Sequence, residues 1–157
     1  MVYYDLLVTV KADNITTVSL KNPEYQWCLE VQCNCGEVYE ALFTEQDVAE
    51  SENTKSVGFN YSRKCKQCKY ALSITFYEKS KKSIACNKPK QALCSFEFRN
   101  CTPIKWNPTP GFVLESEAES TFDEVELSPE WSDYDEKGEY PVQIDSVEFE
   151  FERNNKL

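Results

Sequence analysis

Residues 63–78, with the sequence RKCKQCKYALSITFYE, place two cysteines among basic residues directly before a segment in which apolar and polar residues alternate. Cys65 and Cys68 are separated by two residues, and the alternation starts at Leu72. A period of two residues is typical of a β-strand that buries one face. The stretch therefore predicts a reversal of the chain that carries two thiols and leads into a strand.

The same alternation recurs along nearly the whole chain. It is found in residues 6–10, 27–33, 57–61, 72–76, 96–98 and 147–151. The segment TEQDVAESEN, residues 44–53, is the one candidate for a helix, but it has too few apolar residues to bury a helix face. We therefore predict an all-β fold in which residues 44–53 form a turn or a loop.

Length and composition indicate one compact β domain that covers residues 1–157. The chain is long enough to bury a core, and 13% aromatic residues favour a folded protein despite a net charge of −10. Residues 8–25 and 95–112 each combine an alternating strand, a polar corner, a second short apolar segment, Asn-Pro and an aromatic residue. This echo predicts two similar β motifs, roughly 1–90 and 91–157, although its few identities also allow a chance match.

Cellular context and chemistry follow from what the sequence contains and lacks. The N-terminal segment has no basic region, and Asp5 and Lys11 interrupt its apolar run, so we expect neither a signal peptide nor a membrane span but a cytoplasmic protein. We also expect the protein to be a monomer. In a reducing compartment, a cluster among eight cysteines favours metal binding over disulfides. The absence of histidine excludes catalytic Ser-His and Cys-His pairs and the HExxH zinc proteases.

Two cysteine pairs have the arrangement expected of a zinc-knuckle-type site with four thiolate ligands, Cys33, Cys35, Cys65 and Cys68. Each pair lies at a reversal between two alternating segments, so two facing hairpin tips would bring the sulfurs together. Tetrahedral Zn²⁺ with Zn–S bonds of about 2.3 Å requires sulfurs about 3.8 Å apart. The pair in CNCGE has only one intervening residue, so Asn34 must lie in a turn, and Gly36 supplies the conformational freedom that such a turn needs.

The residues around the second pair are basic, and their charge suits a site that carries four thiolates. We expect these residues to stabilise the deprotonated ligands. They are Arg63, Lys64, Lys66 and Lys69. Two alternatives remain open from the residues alone: reduced cysteines without metal, or a disulfide across one or both pairs.

The order of several motifs resembles the eukaryotic family of CXXC motif containing zinc-binding proteins. The motifs are CNCGE, KCKQCK, NPTPGF and EWSDYDEK, followed by a terminal alternating strand. The resemblance implies an all-β, multi-sheet, sandwich-like fold of two similar β motifs. It also implies a zinc ion held by two Cys-x-x-Cys pairs, which correspond here to Cys65 and Cys68 and, with one residue missing, to Cys33 and Cys35. The family has no assigned activity.

We interpret the protein as a non-enzymatic interaction protein with a structural zinc and a protein partner. The net charge argues against nucleic acid, as does the expectation that Tyr70 belongs to the core. The alternative is a thiol oxidoreductase that uses Cys94 or Cys101, with Arg99 as the nearby group that could lower a thiol pKa. We expect these two cysteines, like Cys28 and Cys86, to be small buried hydrophobic residues.

Charge is segregated along the sequence. Residues 60–90 contain nine Lys/Arg and one acidic residue, whereas residues 115–139 contain eleven Asp/Glu and one Lys. These segments could be two solvated faces, or the acidic one could bind a basic partner or fold back on the Lys-rich segment. Within WSDYDEKGEYP, residues 131–141, three carboxylates are clustered between aromatic residues: Asp133, Asp135 and Glu136. We favour a turn pinned to the core by Trp131, Tyr134 and Tyr140 over acid–base or divalent-metal chemistry.

Overall fold

A computed structural model describes residues 2–48 and 58–155 and confirms the all-β fold. The strands are β1 Val2–Asp13, β2 Ile15–Ser19, β3 Trp27–Cys33, β4 Val38–Phe43, β5 Tyr61–Lys64, β6 Ala71–Tyr77, β7 Ile84–Ala85, β8 Gln91–Arg99, β9 Cys101–Trp106, β10 Phe112–Ser116, β11 Thr121–Val125, β12 Ser132–Asp135 and β13 Tyr140–Asn154. A 3-10 turn, Glu78–Ser80, follows β6. Within the described ranges, no helix is long and apolar enough to cross a membrane.

The strands form three sheets, as the multi-sheet expectation requires. The largest sheet has six strands in the order β12-β13-β1-β8-β6-β5. A four-stranded sheet has the order β11-β10-β2-β7, and a three-stranded sheet has the order β4-β3-β9. All of these neighbours pair antiparallel.

Aromatic rings within the core join the three-stranded sheet to the six-stranded sheet. Trp27 of β3 is fully buried, with its ring centroid 5.1 Å from that of Phe96 on β8 and 5.9 Å from that of Phe76 on β6. Trp106 of β9, also fully buried, lies 5.9 Å from Trp27. Trp27 and Phe96 meet edge to face, and the other two pairs are tilted. Large rings in such contacts bury much apolar surface, which explains why these inward positions are aromatic.

The two echoing segments, residues 8–25 and 95–112, share a conformation. In each, a strand of the six-stranded sheet is followed by an asparagine with positive φ, 61° at Asn14 and 59° at Asn100, and the next strand belongs to a different sheet. Asparagine tolerates this left-handed conformation better than most residues. The boundaries of the motifs, roughly 1–90 and 91–157, stay a prediction, and both ranges contribute strands to the six-stranded sheet.

Several local predictions need correction or completion. Residues 44–48 form a turn, with the Thr44 N–H donating to Asp47 Oδ2 at 2.9 Å, while residues 49–53 and Val57 lie outside the described part. The 3-10 turn after β6 was not predicted.

The expectation that Tyr70 belongs to the core is wrong. Its side chain is 71% exposed, because it follows the cysteine turn at the end of a hairpin. The acidic β12 and the basic β5 lie at opposite edges of the six-stranded sheet, which argues against a fold-back of β12 onto β5.

Of the three carboxylates named in residues 131–141, Asp133 and Asp135 lie in β12, and Glu136 lies in the turn that leads into β13, so the favoured turn is present but starts after Asp135. Asp135 ends β12 and is buried, and it accepts hydrogen bonds from Ser116 Oγ at 2.5 Å and Ser120 Oγ at 2.6 Å. These hydroxyl groups hold the pKa of Asp135 below its ordinary value. Tyr134 does not pin the turn to the core as predicted, because its side chain is 53% exposed. Asp135 thus joins β10 and the β12–β13 turn.

The substitution Asp135→Asn should destabilise the fold in a pH-dependent way. A carboxyl with a lowered pKa in the folded state contributes stability above the ordinary Asp pKa, and this contribution is lost as the pH falls through the folded value. Urea unfolding should therefore show the largest difference from the wild type near neutral pH and a shrinking difference below about pH 4. The exposed Asp133→Asn is the control, and an equal effect of both substitutions would contradict this role.

Candidate metal centre

The first cysteine pair lies at the tip of the β3–β4 hairpin. Cys33 is the last residue of β3, and Asn34 and Cys35 form the turn that the short spacing required. The turn is closed by hydrogen bonds from the Cys33 N–H to the Glu37 oxygen, 2.7 Å, and from the Gly36 N–H to the Cys33 oxygen, 2.8 Å. Gly36 has a φ of 106°, which a residue with a Cβ adopts only under strain. The prediction of a knuckle turn at this glycine is confirmed.

The second pair lies in the turn between β5 and β6. The Cys65 N–H donates to the Tyr70 oxygen at 2.9 Å, and the Lys69 N–H donates to the Cys65 oxygen at 3.0 Å. Lys69 takes the left-handed conformation, with a φ of 70°. The chain therefore reverses within Cys65–Tyr70, and both thiols of the pair stay at the same end of the hairpin.

The structure brings the two pairs together. The Sγ atoms of Cys33 and Cys68 are 3.6 Å apart, as are those of Cys35 and Cys65. All four sulfurs lie within 4.8 Å of one another. A tetrahedral zinc ion with Zn–S bonds of about 2.3 Å needs sulfur separations near 3.8 Å, so this donor set and its spacing fit Zn²⁺. All eight cysteines are free, and the contacts between pairs are far longer than an S–S bond of about 2.05 Å.

Tyr39 of β4 contacts the cysteine cluster through its hydroxyl group. Its hydroxyl donates a hydrogen bond to Cys65 Sγ at 3.4 Å and accepts one from the Lys66 N–H at 2.9 Å. The Tyr39 hydroxyl and then the backbone N–H of Cys68 lower the pKa of Cys65 to about 6. Because metals bind the thiolate, Cys65 is prepared to act as a ligand near neutral pH.

The pKa of Cys33 is shifted in the opposite direction from that of Cys65. Its burial raises the pKa of the thiol to about 12, so Cys33 keeps its proton in the absence of a cation. The Asn100 Nδ2 group lies 3.9 Å from Cys33 Sγ, and the Asn34 Nδ2 group donates to Asn100 Oδ1 at 2.9 Å. A metal that takes all four sulfurs must therefore displace the Cys33 proton, which links metal binding to pH.

The basic flank acts less directly than the sequence suggested. The guanidinium of Arg63 lies 4.0 Å above the Tyr39 ring, and Lys69 Nζ donates to the Lys66 carbonyl oxygen at 2.8 Å. The hydrogen bonds that favour the Cys65 thiolate come from Tyr39, from the backbone and from the Cys35 thiol. Sequence reasoning missed Tyr39, whose signal was its inward position in the alternating segment after CNCGE.

The other cysteines are buried hydrophobic residues, as predicted. They are Cys28, Cys86, Cys94 and Cys101. Burial raises the pKa of Cys101 to about 12 and that of Cys94 well above its ordinary value. Arg99, expected as the group that could activate them, instead forms an ion pair with Glu97 at 2.6 Å.

Comparisons with known proteins agree with this architecture. The sequence model of the eukaryotic family described as "CXXC motif containing zinc binding protein" matches residues 5–152. A UPF0587 protein of Nematostella vectensis is 31% identical over 96% of this chain and 98% of its own length. The CXXC motif containing zinc binding protein of Bos taurus is 28% identical over 94% of this chain and 96% of its own.

Solved structures show the same fold. The crystal structure of C1orf123 superposes with a TM-score of 0.87 and 26% identity, covering 97% of this chain and 99% of that one. A hypothetical protein from Plasmodium falciparum, 23% identical, gives a TM-score of 0.84 and covers 97% of this chain and 100% of that one. The family match and the four-cysteine cluster together support Zn²⁺ as the structural cofactor predicted from the sequence.

The assignment of the four cysteines as ligands predicts the metal content of the protein. Protein purified without added metal should contain about one zinc per chain, since four thiolates complete one tetrahedral site. Elemental analysis should show loss of zinc in Cys33→Ser and in Cys65→Ser but not in the control Cys28→Ser. Retention of zinc in either ligand variant would contradict a site shared by both hairpins.

Proposed function

From the fact that this chain belongs to the eukaryotic family of CXXC motif containing zinc binding proteins, we propose that it is a non-enzymatic interaction protein. In this proposal, the structural zinc holds two hairpin tips in a fixed arrangement that binds another protein. The observation that carries the proposal is the convergence of four thiols. Four protein ligands fill a tetrahedral zinc site, whereas catalytic zinc keeps one position for water or substrate.

Exposed apolar side chains on both cysteine hairpins support a role in binding. Val38, at the start of β4, is 51% exposed, and Leu42, on the same face of that strand, is 48% exposed. Tyr70 extends from the other hairpin. We call Val38 and Tyr70, the exposed apolar side chains next to the two cysteine turns, the tip surface; Leu42 lies farther along β4, opposite Cys28. Because the cysteines connect the two hairpins, zinc binding would fix the position of Tyr70 relative to the two β4 residues.

The remaining expectations form part of the same proposal. The protein would be a cytoplasmic monomer that binds neither membranes nor nucleic acid, and its net charge of −10 supports the exclusion of nucleic acid. The exposed ring of Tyr70 beside Lys66 and Lys69 is the local feature that would favour nucleic acid. Any test of partner binding therefore needs nuclease treatment.

Affinity capture can test the tip surface. The double variant Val38→Thr, Tyr70→Ser should lose a protein that the wild type retains from a nuclease-treated eukaryotic lysate, since apolar contacts would be removed from both tips. The control Val48→Thr, Tyr134→Ser changes two exposed side chains elsewhere and should retain it. A set of captured proteins that is unchanged by the tip variant would contradict the proposal.

The thiol oxidoreductase alternative predicts a reactive cysteine at position 94 or 101. The burial of both thiols and their raised pKa values weigh against it, because the thiolate is the nucleophile. At mildly acidic pH, an alkylating reagent should react slowly with Cys94 and Cys101 in the zinc-loaded protein, as followed by mass spectrometry of peptides. Rapid modification of either residue would instead favour the enzyme.

A further inference from the structure

The C-terminal strand β13 has a long edge without a neighbouring strand. One side of β13 pairs with β1 from Gln143 to Asn154, whereas β12 pairs with the other side over Tyr140–Gln143. In residues 2–48 and 58–155, no strand pairs with that other side beyond residue 143. We call residues 146–153 on this side the open edge. At about 3.4 Å per residue the open edge is roughly 27 Å long, and alternate residues direct their N–H and C=O groups away from β1.

The inward side chains of the open edge are incompletely covered. Val147, Phe149 and Phe151 pack against the core but are only partly buried. Each is paired across the sheet with a residue of β1 that is fully buried; those residues are Val10, Val8 and Leu6. The difference follows from position, because β1 has a neighbour on both sides, whereas residues 146–153 of β13 pair only with β1 in the described part of the chain. A further strand at the open edge would complete the burial of these three side chains.

The outward side chains of the open edge are acidic. Glu148, Glu150 and Glu152 alternate with the inward residues and are exposed. Among the described residues, Glu150 has a cationic partner in Lys90 at 3.2 Å, while no ion pair is formed by Glu148 or Glu152. The edge therefore presents backbone groups that pair with no strand of residues 2–48 and 58–155, half-covered apolar side chains and a row of negative charge.

A cavity next to the open edge has the chemistry of a site for a lysine side chain. It has a volume of about 310 Å³ and is lined by Leu7, Thr9, Lys90, Glu148, Phe149 and Glu150. Lys90 of this chain already pairs with Glu150 at 3.2 Å, so among the described residues Glu148 is the carboxylate of this lining that has no cation. The methylene stem of a lysine can lie along an apolar surface while its ammonium group reaches a carboxylate. This arrangement favours a basic ligand at the edge.

Self-association through the open edge is disfavoured. Two copies of β13 that paired at this edge would place their rows of glutamates close together, and like charges opposite one another destabilise a strand pair. Charged side chains are a common protection of edge strands against pairing with another copy. The natural complement is a strand of opposite charge.

We propose that the open edge of β13 binds an extended segment of a partner protein in which basic and apolar residues alternate. The segment adds a seventh strand to the six-stranded sheet. Its main chain pairs with β13, its apolar residues cover Phe149 and Phe151, and its basic residues face the glutamates. This site extends the proposed interaction function to a second surface, since β13 is separated from β5 and its cysteine turn by β1, β8 and β6.

A labelled synthetic peptide of about nine residues in which lysine and valine alternate is the probe, because its length matches the open edge. Binding would be followed by fluorescence anisotropy. The triple reversal Glu148→Lys, Glu150→Lys, Glu152→Lys should weaken binding by about tenfold or more, since it replaces attraction by repulsion. The matched control Glu115→Lys, Glu126→Lys, Glu130→Lys changes the net charge equally at exposed positions on other elements and should keep most of the affinity.

Two further peptides separate strand pairing from charge attraction alone. Replacement of every valine by serine keeps the charge and should abolish most of the binding. Every second backbone amide of the peptide can be methylated in two ways, starting at the first or at the second residue. One of the two methylated peptides should lose binding and the other should keep it, because only every second amide of the peptide would face β13. Hydrogen exchange of the complex should show new protection at alternate amides of residues 146–153.

Equal binding of the serine peptide, equal loss in both charge-reversal variants, or tolerance of both methylation patterns would overturn the proposal. The tip variant Val38→Thr, Tyr70→Ser separates this outcome from failure of the proposed function. It should leave the peptide affinity unchanged, and loss of peptide binding in this variant would count against a separate site at the open edge.

Discussion

The contact between four sulfur atoms determines how the two cysteine hairpins lie against each other. One hairpin, β3–β4, belongs to the three-stranded sheet, and the other, β5–β6, lies at the edge of the six-stranded sheet. Two sulfur contacts of 3.6 Å cross between the hairpins, from Cys33 to Cys68 and from Cys35 to Cys65. Zinc at this position therefore links two sheets rather than closing one loop. Structural zinc contributes on the order of 10 kcal/mol to the folding of small finger peptides, and here the aromatic core shares that task.

The environment of the sulfurs is built by residues that also serve the fold. Asn100 turns the chain from β8 into β9, its backbone oxygen accepts a hydrogen bond from the Asn34 N–H at 3.2 Å, and its side chain reaches Cys33. Tyr39 is an inward residue of β4 whose hydroxyl reaches the opposite hairpin. The corner between two sheets and the metal centre are thus parts of one hydrogen-bonded arrangement, so damage to either should affect the other.

Local patterns predicted the strands and the cysteine turns because both arise from short-range constraints. Alternation identified the strand Trp27–Cys33, and the short Cys-x-Cys spacing required the turn at Asn34. Sheet order could not be predicted in this way. The first strand, β1, pairs with the last strand, β13, and packing sets the register between them. Tyr70 was misassigned for a related reason, because an aromatic residue beside an alternating segment reads as core until the hairpin turn is placed. The role of Tyr39 depends on a contact between two hairpins that no local pattern contains.

The two proposed binding surfaces lie apart on one scaffold, with the tip surface beside the cysteine cluster and the open edge on the far part of the large sheet. Both the family match and the sulfur cluster lead to the expectation that one zinc ion takes all four thiolates. Zinc X-ray absorption spectroscopy of the purified protein tests this claim most directly. We expect a first shell of four sulfurs at about 2.3 Å and no nitrogen or oxygen ligand. A shell with fewer sulfurs and an oxygen at about 2.0 Å would show an open or partial site and would contradict a zinc site that both hairpins share.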